Sequence, residues 1–190
     1  MKGCTHIYFG DGKGKTTAAM GLAIRAAGND KKVFIIQFLK GGPTGELKIL
    51  LQQPNITILR GKPNTPFTWN MTEEQKKEVT AYQTQQLKQA ILHAQNSQCD
   101  LLILDEIMAS YNLDLIDKDM LKEFILNKPE ALELVLTGRD PADYMIEAAD
   151  YVTEMKKIKH PFGAGIPARL GVEWKVLYEY SIRTYIAQSN

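Results

Sequence analysis

With 190 residues, 44% of them hydrophobic, the chain can bury one substantial core and is too short to hold two ordinary domains comfortably. Its 23 Lys and Arg against 22 Asp and Glu leave a formal net charge of +1, which excludes recruitment of nucleic acid by bulk electrostatics and requires any anion site to be local. Cys4 and Cys99 lack metal-ligand spacing, no apolar run approaches the roughly 18 to 20 residues of a membrane span, and Met1 to Thr5 carries no signal region, so the expectation is one domain, residues 1–190, in the reducing cytoplasm with no membrane contact.

Short β-rich apolar runs alternate with longer segments of helical period, which predicts an α/β fold of three layers, αβα, around a mostly parallel sheet. His6-Ile7-Tyr8-Phe9 reads as the first strand. The helix after the glycine-rich stretch runs from Lys15 to Ala27, with Gly28 as its stop. A second strand covers Val33 to Phe38, Gly41-Gly42-Pro43 breaks the chain, and a third strand lies around Ile56 to Leu59. Gly61 to Asn70 is a loop rich in Pro, Asn and Thr that carries Phe67 and Trp69. Thr72 and Gln75 form a capping box for a long helix to about Gln98, whose Gln and Lys content predicts a largely wetted face. Leu101 to Leu104 is a buried strand, Leu132 to Leu136 another that ends in Thr137-Gly138-Arg139, and Tyr151 to Met155 a short one. Val172 to Ala187 has no decisive pattern.

The stretch Gly10-Asp11-Gly12-Lys13-Gly14-Lys15-Thr16 lies between a strand and a helix, the arrangement that makes a phosphate nest. Backbone N–H groups converge on the anion there, the helix N-terminus adds partial positive charge, and Lys15 adds a full one. Thr16 offers a hydroxyl to Mg²⁺, and Thr17 follows it. The usual loop has four residues between the first Gly and the Gly-Lys pair, whereas here there are three, Asp11, Gly12 and Lys13. The anion to be held is the triphosphate of ATP.

Leu101-Leu102-Ile103-Leu104-Asp105-Glu106 is a hydrophobic strand that delivers two carboxylates to its C-terminal end, where open parallel sheets bind ligands. Asp105 or Glu106 is expected to complete a Mg²⁺ (or Mn²⁺) shell with Thr16, directly or through water. Arg139, after another apolar strand, is either a bidentate phosphate donor or a surface arginine in a turn. Arg25, ten residues beyond Lys15, is a weaker candidate for the nucleotide. His160 stands in a Lys-rich turn before Pro161 and reads as structural rather than as a metal ligand. Phe67 and Trp69, on residue type alone, read as a local hydrophobic anchor.

Taken in order, these elements resemble the P-loop class of cob(I)alamin (corrinoid) adenosyltransferases, P-loop NTPase folds of RecA-like arrangement. The matching stretches are Tyr8 to Ala19, Gln37-Phe38-Leu39-Lys40-Gly41, Phe67-Thr68-Trp69, Asp100 to Glu106, Leu136-Thr137-Gly138-Arg139, and Thr153-Glu154-Met155 through Lys159-His160-Pro161-Phe162 to Gly171-Val172-Glu173. The shortened glycine loop and the Lys-His-Pro-Phe run are typical of that family. Asp11 stands where Asn is common in it, which adds a negative charge beside the phosphates. Many members also carry an extra N-terminal segment, while this sequence enters its first strand almost at once.

The resemblance implies that cobalt(I) of a reduced corrinoid, cobalamin or cobinamide, attacks the 5′-carbon of ATP and releases triphosphate. It implies catalytic roles for Lys15, Glu106 and Arg139, with Mg²⁺, the loop N–H groups and Lys13 also stabilising the leaving phosphate. It implies that Phe67 and Trp69 pack against the lower corrin face and displace the axial base, which favours reduction of cobalt(II). A homodimer and a flavoprotein-type reductase are the implied partners. A P-loop kinase or ATPase that transfers the γ-phosphate, and a non-catalytic ATP-gated module, are the competing readings of the residues.

Overall fold

A computed structural model describes residues 2–42, 44–62, 70–169 and 171–172. Among these residues six strands form one sheet in the order β3-β2-β4-β5-β1-β6, and every neighbouring pair is parallel. They are β1 (Thr5–Phe9), β2 (Val33–Gln37), β3 (Ile56–Arg60), β4 (Leu101–Asp105), β5 (Glu133–Thr137) and β6 (Tyr151–Glu154). All residues of β2 and β4 are buried, as expected of central parallel strands covered on both faces. The helices are α1 (Lys15–Ala27), α2 (Leu47–Leu50), α3 (Glu73–Gln95), α4 (Ile107–Asn112), α5 (Lys118–Leu126) and α6 (Asp143–Ala148).

The two-residue period of the strands divides the core. Val33, Ile35, Leu101, Ile103 and Val135 pack with Ala19, Met20 and Ala23 of α1 on one face. Phe34, Ile36, Leu102, Leu104, Leu134 and Leu136 pack on the other with Leu87 and Ala90 of α3, Ile107 of α4, Phe124 of α5 and Met145 of α6. Parallel crossovers are right-handed, so the direction of travel fixes the face. From β1 through β2 to β3 the chain steps toward one edge with α1 and Leu50 of α2 on the first face; from β3 to β4, β5 and β6 it steps back with α3 to α6 on the second. Because β1 and its neighbour β5 send their connections to opposite faces, a crevice opens at their C-terminal ends.

The differences from the sequence expectation are local. The sheet is wholly parallel among the described residues rather than mostly so. Strand bounds differ from those expected by one residue at an end: β1, β3 and β4 are longer, β2 and β6 are shorter, and β5 is shifted. Helix α1 has the predicted bounds, but Gly28 is right-handed at φ −66°, and the left-handed turn falls on Asp30 at φ 58°, a residue type that tolerates it. The capping box of α3 is present: Thr72 Oγ1 accepts from Gln75 N at 3.2 Å and Gln75 Oε1 from Thr72 N at 2.9 Å. That helix ends at Gln95 instead of about Gln98 because Ser97 turns left-handed at φ 54°. It buries only a narrow stripe, with Gln83 and Gln86 among its members. Helices α2, α4, α5 and α6 add to the elements that the sequence pattern predicts. His160 is exposed and its Nδ1 accepts from Phe162 N at 3.2 Å, capping a 3-10 turn over Pro161–Ala164. Among the described residues no helix is long and apolar enough to cross a membrane. Phe67, Trp69 and the segment from Glu173 to Ala187 lie outside the described residues.

Candidate nucleotide and corrinoid site

The glycine loop leaves β1 and enters α1 through two left-handed glycines, Gly10 at φ 111° and Gly14 at φ 119°, the latter being the N-cap residue of the helix. Among the described residues no side chain caps this end, so the first-turn N–H groups of α1 can serve an anion. The loop is pinned from above by the chain that follows β6. Gly12 N donates to Met155 O at 2.6 Å, and Met155 N donates to Phe9 O at 2.7 Å. A Cβ on Gly10 or Gly12 would stand 2.6 or 2.5 Å from that same Met155 oxygen, so two of the glycines answer to packing as well as to the ligand.

Lys15 closes the loop, its Nζ donating to Gly10 O at 2.7 Å and Gly12 O at 2.8 Å. Burial pushes its pKa down, and the nearby Arg139 guanidinium pushes in the same direction. Arg139 itself is exposed at the end of β5, with its carbonyl accepting from Asn112 Nδ2 at 3.2 Å. Lys13 is exposed on the loop, and Thr17 is exposed in the first turn of α1. Asp11 does not turn toward the cradle: its Oδ1 accepts from Lys157 N at 3.0 Å, and that hydrogen bond is the main reason its carboxyl lies below the usual range. Arg25 is not brought to the loop. It is exposed in the last turn of α1, about 15 Å along the axis from Lys15, where its charge complements the helix dipole.

Across the crevice, Gln37 of β2, Asp105 of β4 and Thr137 of β5 share the parity of Val33, Ile35, Leu101, Ile103 and Val135, so all three belong to the face covered by α1. Thr16, in the first turn of α1, therefore meets them. Asp105 is fully buried and, among the described residues, accepts four hydrogen bonds. Its Oδ1 takes Thr16 Oγ1 at 2.9 Å and Thr137 Oγ1 at 2.7 Å, and its Oδ2 takes Gln37 Nε2 at 3.1 Å and Lys40 Nζ at 2.6 Å. Lys40 Nζ also donates to Thr16 Oγ1 at 2.9 Å and lies 3.6 Å from Glu106 Oε1.

Glu106 is left-handed at φ 63°, an unusual conformation for a non-glycine residue, and its N–H donates to Thr137 Oγ1 at 3.0 Å. The strained turn ends β4 and starts α4, so consecutive carboxylates serve different positions: Asp105 inward, Glu106 half-buried at the rim. Behind them Arg60 Nε donates to Gln37 Oε1 at 3.1 Å, and Gly61 N donates to Gln37 O at 2.9 Å at the start of the loop that carries Phe67 and Trp69.

Sequence reasoning missed Gln37, Lys40 and Thr137 as site residues. All three lie in the stretches that resemble the family, but their convergence on Asp105 depends on strand register. Thr16, Asp105 and Glu106 suit a hard divalent cation, for which hydroxyl and carboxylate oxygens are the preferred donors. The Lys40 ammonium, within 2.9 Å of oxygens on two of the three, marks the position as one where positive charge is stable.

Comparison with known proteins bears on what this site serves. The model of the family described as ATP:corrinoid adenosyltransferase BtuR/CobO/CobP matches residues 1–174. The corrinoid adenosyltransferase of Escherichia coli (strain K12) is 32% identical over 174 residues, covering 91% of this chain and 86% of that protein. Those of Pseudomonas aeruginosa and Salmonella typhimurium are 34% and 30% identical over 174 residues, each covering 91% of this chain and 84% and 86% of theirs. With an open glycine loop at the start of α1, an acidic strand end beside it and this similarity along nine-tenths of its length, the chain belongs to the ATP:corrinoid adenosyltransferase family.

Proposed function

We infer that this protein transfers the 5′-deoxyadenosyl group of ATP to cobalt(I) of a reduced corrinoid, forming a cobalt–carbon bond and releasing triphosphate. The observation that carries the reading, on a chain of this family, is an open α1 N-terminus around Lys15 set against a fully buried Asp105 only 2.9 Å from Thr16. The electron pair of the breaking carbon–oxygen bond goes to the phosphate oxygen, so catalysis needs positive charge at the triphosphate and no general base. Loop N–H groups, Lys15, Lys13 and Arg139 supply it. Lys15 must leave the carbonyls of Gly10 and Gly12 to reach the phosphates, and its lowered pKa reflects a desolvated charge that an anion would stabilise.

Thr16, Asp105 and Glu106 would hold Mg²⁺ or Mn²⁺, which when bound neutralises charge on the polyphosphate. Thr137 and Gln37 keep the Asp105 carboxylate oriented, and Glu106 serves positioning rather than proton transfer. Phe67 and Trp69 are assigned to the corrinoid; their loop starts from Gly61, which is tied to Gln37 beside the acidic strand end. Family membership supports three further expectations: a homodimer, a cytoplasmic location and a flavoprotein-type reductase as electron donor.

The deciding experiment mixes ATP with chemically reduced cobalamin and follows both the corrinoid spectrum and the phosphate products. Triphosphate with a cobalt–carbon chromophore is expected; ADP and phosphate would instead mean γ-phosphate transfer. Trp69→Ala is expected to spare ATP binding and slow turnover from cobalt(II), and equal loss of nucleotide affinity would remove the aromatic loop from the corrinoid side.

A further inference from the structure

Lys40 has no part in the chemistry above, yet its ammonium makes the shortest contact to Asp105, 2.6 Å to Oδ2. Its side chain is 10% exposed and that of Asp105 is 0%. It grips Thr16 Oγ1 at 2.9 Å and stands 3.6 Å from Glu106 Oε1. These are the three residues that the proposed function gives to a divalent cation, and an ammonium and a metal ion compete for their oxygens. We propose that Lys40 is a built-in counter-ion that holds the cation position and is displaced when a divalent metal arrives with ATP, so that metal uptake is coupled to the nucleotide. The inference rests on the proposed function for the identity of the metal ligands.

The physical argument has three parts. A buried carboxylate with no cation beside it is strongly destabilising, so Asp105 requires a positive charge before any metal is present. Lysine suits a removable charge: it is a compact ammonium on a flexible stem, whereas a guanidinium would be fixed by its planar fork. The backbone also favours movement, because Lys40 lies beyond the end of β2, after Leu39 in a left-handed turn at φ 58° and before Gly41 and Gly42, outside any regular element. When a metal takes over Asp105, the ammonium has a new partner at hand, since Thr16, which it already touches, closes the triphosphate cradle that starts at Gly10. Gln37 Nε2 and Thr137 Oγ1 remain on Asp105 through the exchange, and Arg60 holds Gln37 from behind. Lys40 is thus a positioning residue: it governs when the metal enters and touches no reacting atom in the structure.

The test measures Mn²⁺ binding without nucleotide, by the electron paramagnetic resonance signal of free Mn²⁺, for the wild type, Lys40→Met and Lys40→Gln. Removing the competing charge is expected to tighten Mn²⁺ binding about tenfold or more. Mn²⁺ alone should then raise the Tm of the variants and leave that of the wild type nearly unchanged. Adding Asp105→Asn to Lys40→Met should abolish the gain. Variants that fold only with Mn²⁺ support the inference equally, since the metal has then replaced the ammonium. Folded variants with wild-type Mn²⁺ affinity, a gain that survives Asp105→Asn, or variants that stay unfolded in Mn²⁺ would overturn it. No corrinoid enters these measurements. Absence of adenosylation with the Mn²⁺ exchange intact would count against the reaction alone, and normal adenosylation with unchanged Mn²⁺ binding against the Lys40 inference alone.

Discussion

Between Phe9 and Thr16 the anion cradle is shaped by one short run of backbone, with Lys15 reaching back only five and three residues to the carbonyls of Gly10 and Gly12. Asp105 is held by side chains 89, 68, 65 and 32 residues away, those of Thr16, Gln37, Lys40 and Thr137. One half of the site is local and backbone-made; the other is assembled from separate strands around a buried charge. Damage to the two halves therefore has different signatures. Loss at the cradle should appear mainly as weaker nucleotide binding, while loss at the acidic strand end should unfold the protein as well.

The largest effect is expected from Asp105→Ala. It leaves the Lys40 ammonium facing a cavity and strips Thr16, Gln37 and Thr137 of their acceptor, so unfolding free energy should fall by about 3–5 kcal/mol, along with activity. Urea denaturation measures the first and the cobalamin assay the second; intact stability would break the contrast. Lys15→Ala should weaken ATP binding about ten- to a hundredfold with the unfolding midpoint little changed, as read by calorimetry and thermal denaturation. Gly12→Ala places a methyl 2.5 Å from Met155 O, a clash with backbone that should cost about 1–3 kcal/mol and weaken ATP binding together. The size of that loss measures how far the local cradle depends on the chain after β6.

The smallest effect belongs to Asp11. Its folded pKa is lowered chiefly by the Lys157 N–H, so its grip on that segment is complete above the ordinary carboxylate range and is lost as pH falls through the folded value. Faster hydrogen exchange at the Lys157 amide in Asp11→Ala at neutral pH, with no such difference in strong acid, is the expected pattern. Equal protection in the variant at neutral pH would show that Met155 alone pins the loop.

Much of the fold could be read in the sequence. The bounds of α1, the capping box at Thr72 and the positions of all six strands follow from hydrophobic period, glycines and cap residues, which act over a few neighbours. The short helices α2, α4 and α6 could not, since pieces of four to six residues carry too little periodicity and exist because packing holds them. Among the site residues, Lys15, Thr16, Asp105 and Glu106 are brought together, while Arg25 illustrates the limit of counting along a helix: ten residues of rise carry it away from the loop.

An α/β chain, a glycine-rich loop at the start of α1 and a hydrophobic strand that ends in two acids can all be read from neighbouring residues, because each is a property of adjacent positions. Long-range packing alone turns Asp11 to Lys157, lays Met155 across Gly12, and sets Gln37, Lys40 and Thr137 around Asp105. Those contacts arise from parallel register and strand parity, which bring residues from remote parts of the chain to one edge of the sheet. No window of neighbouring residues contains them.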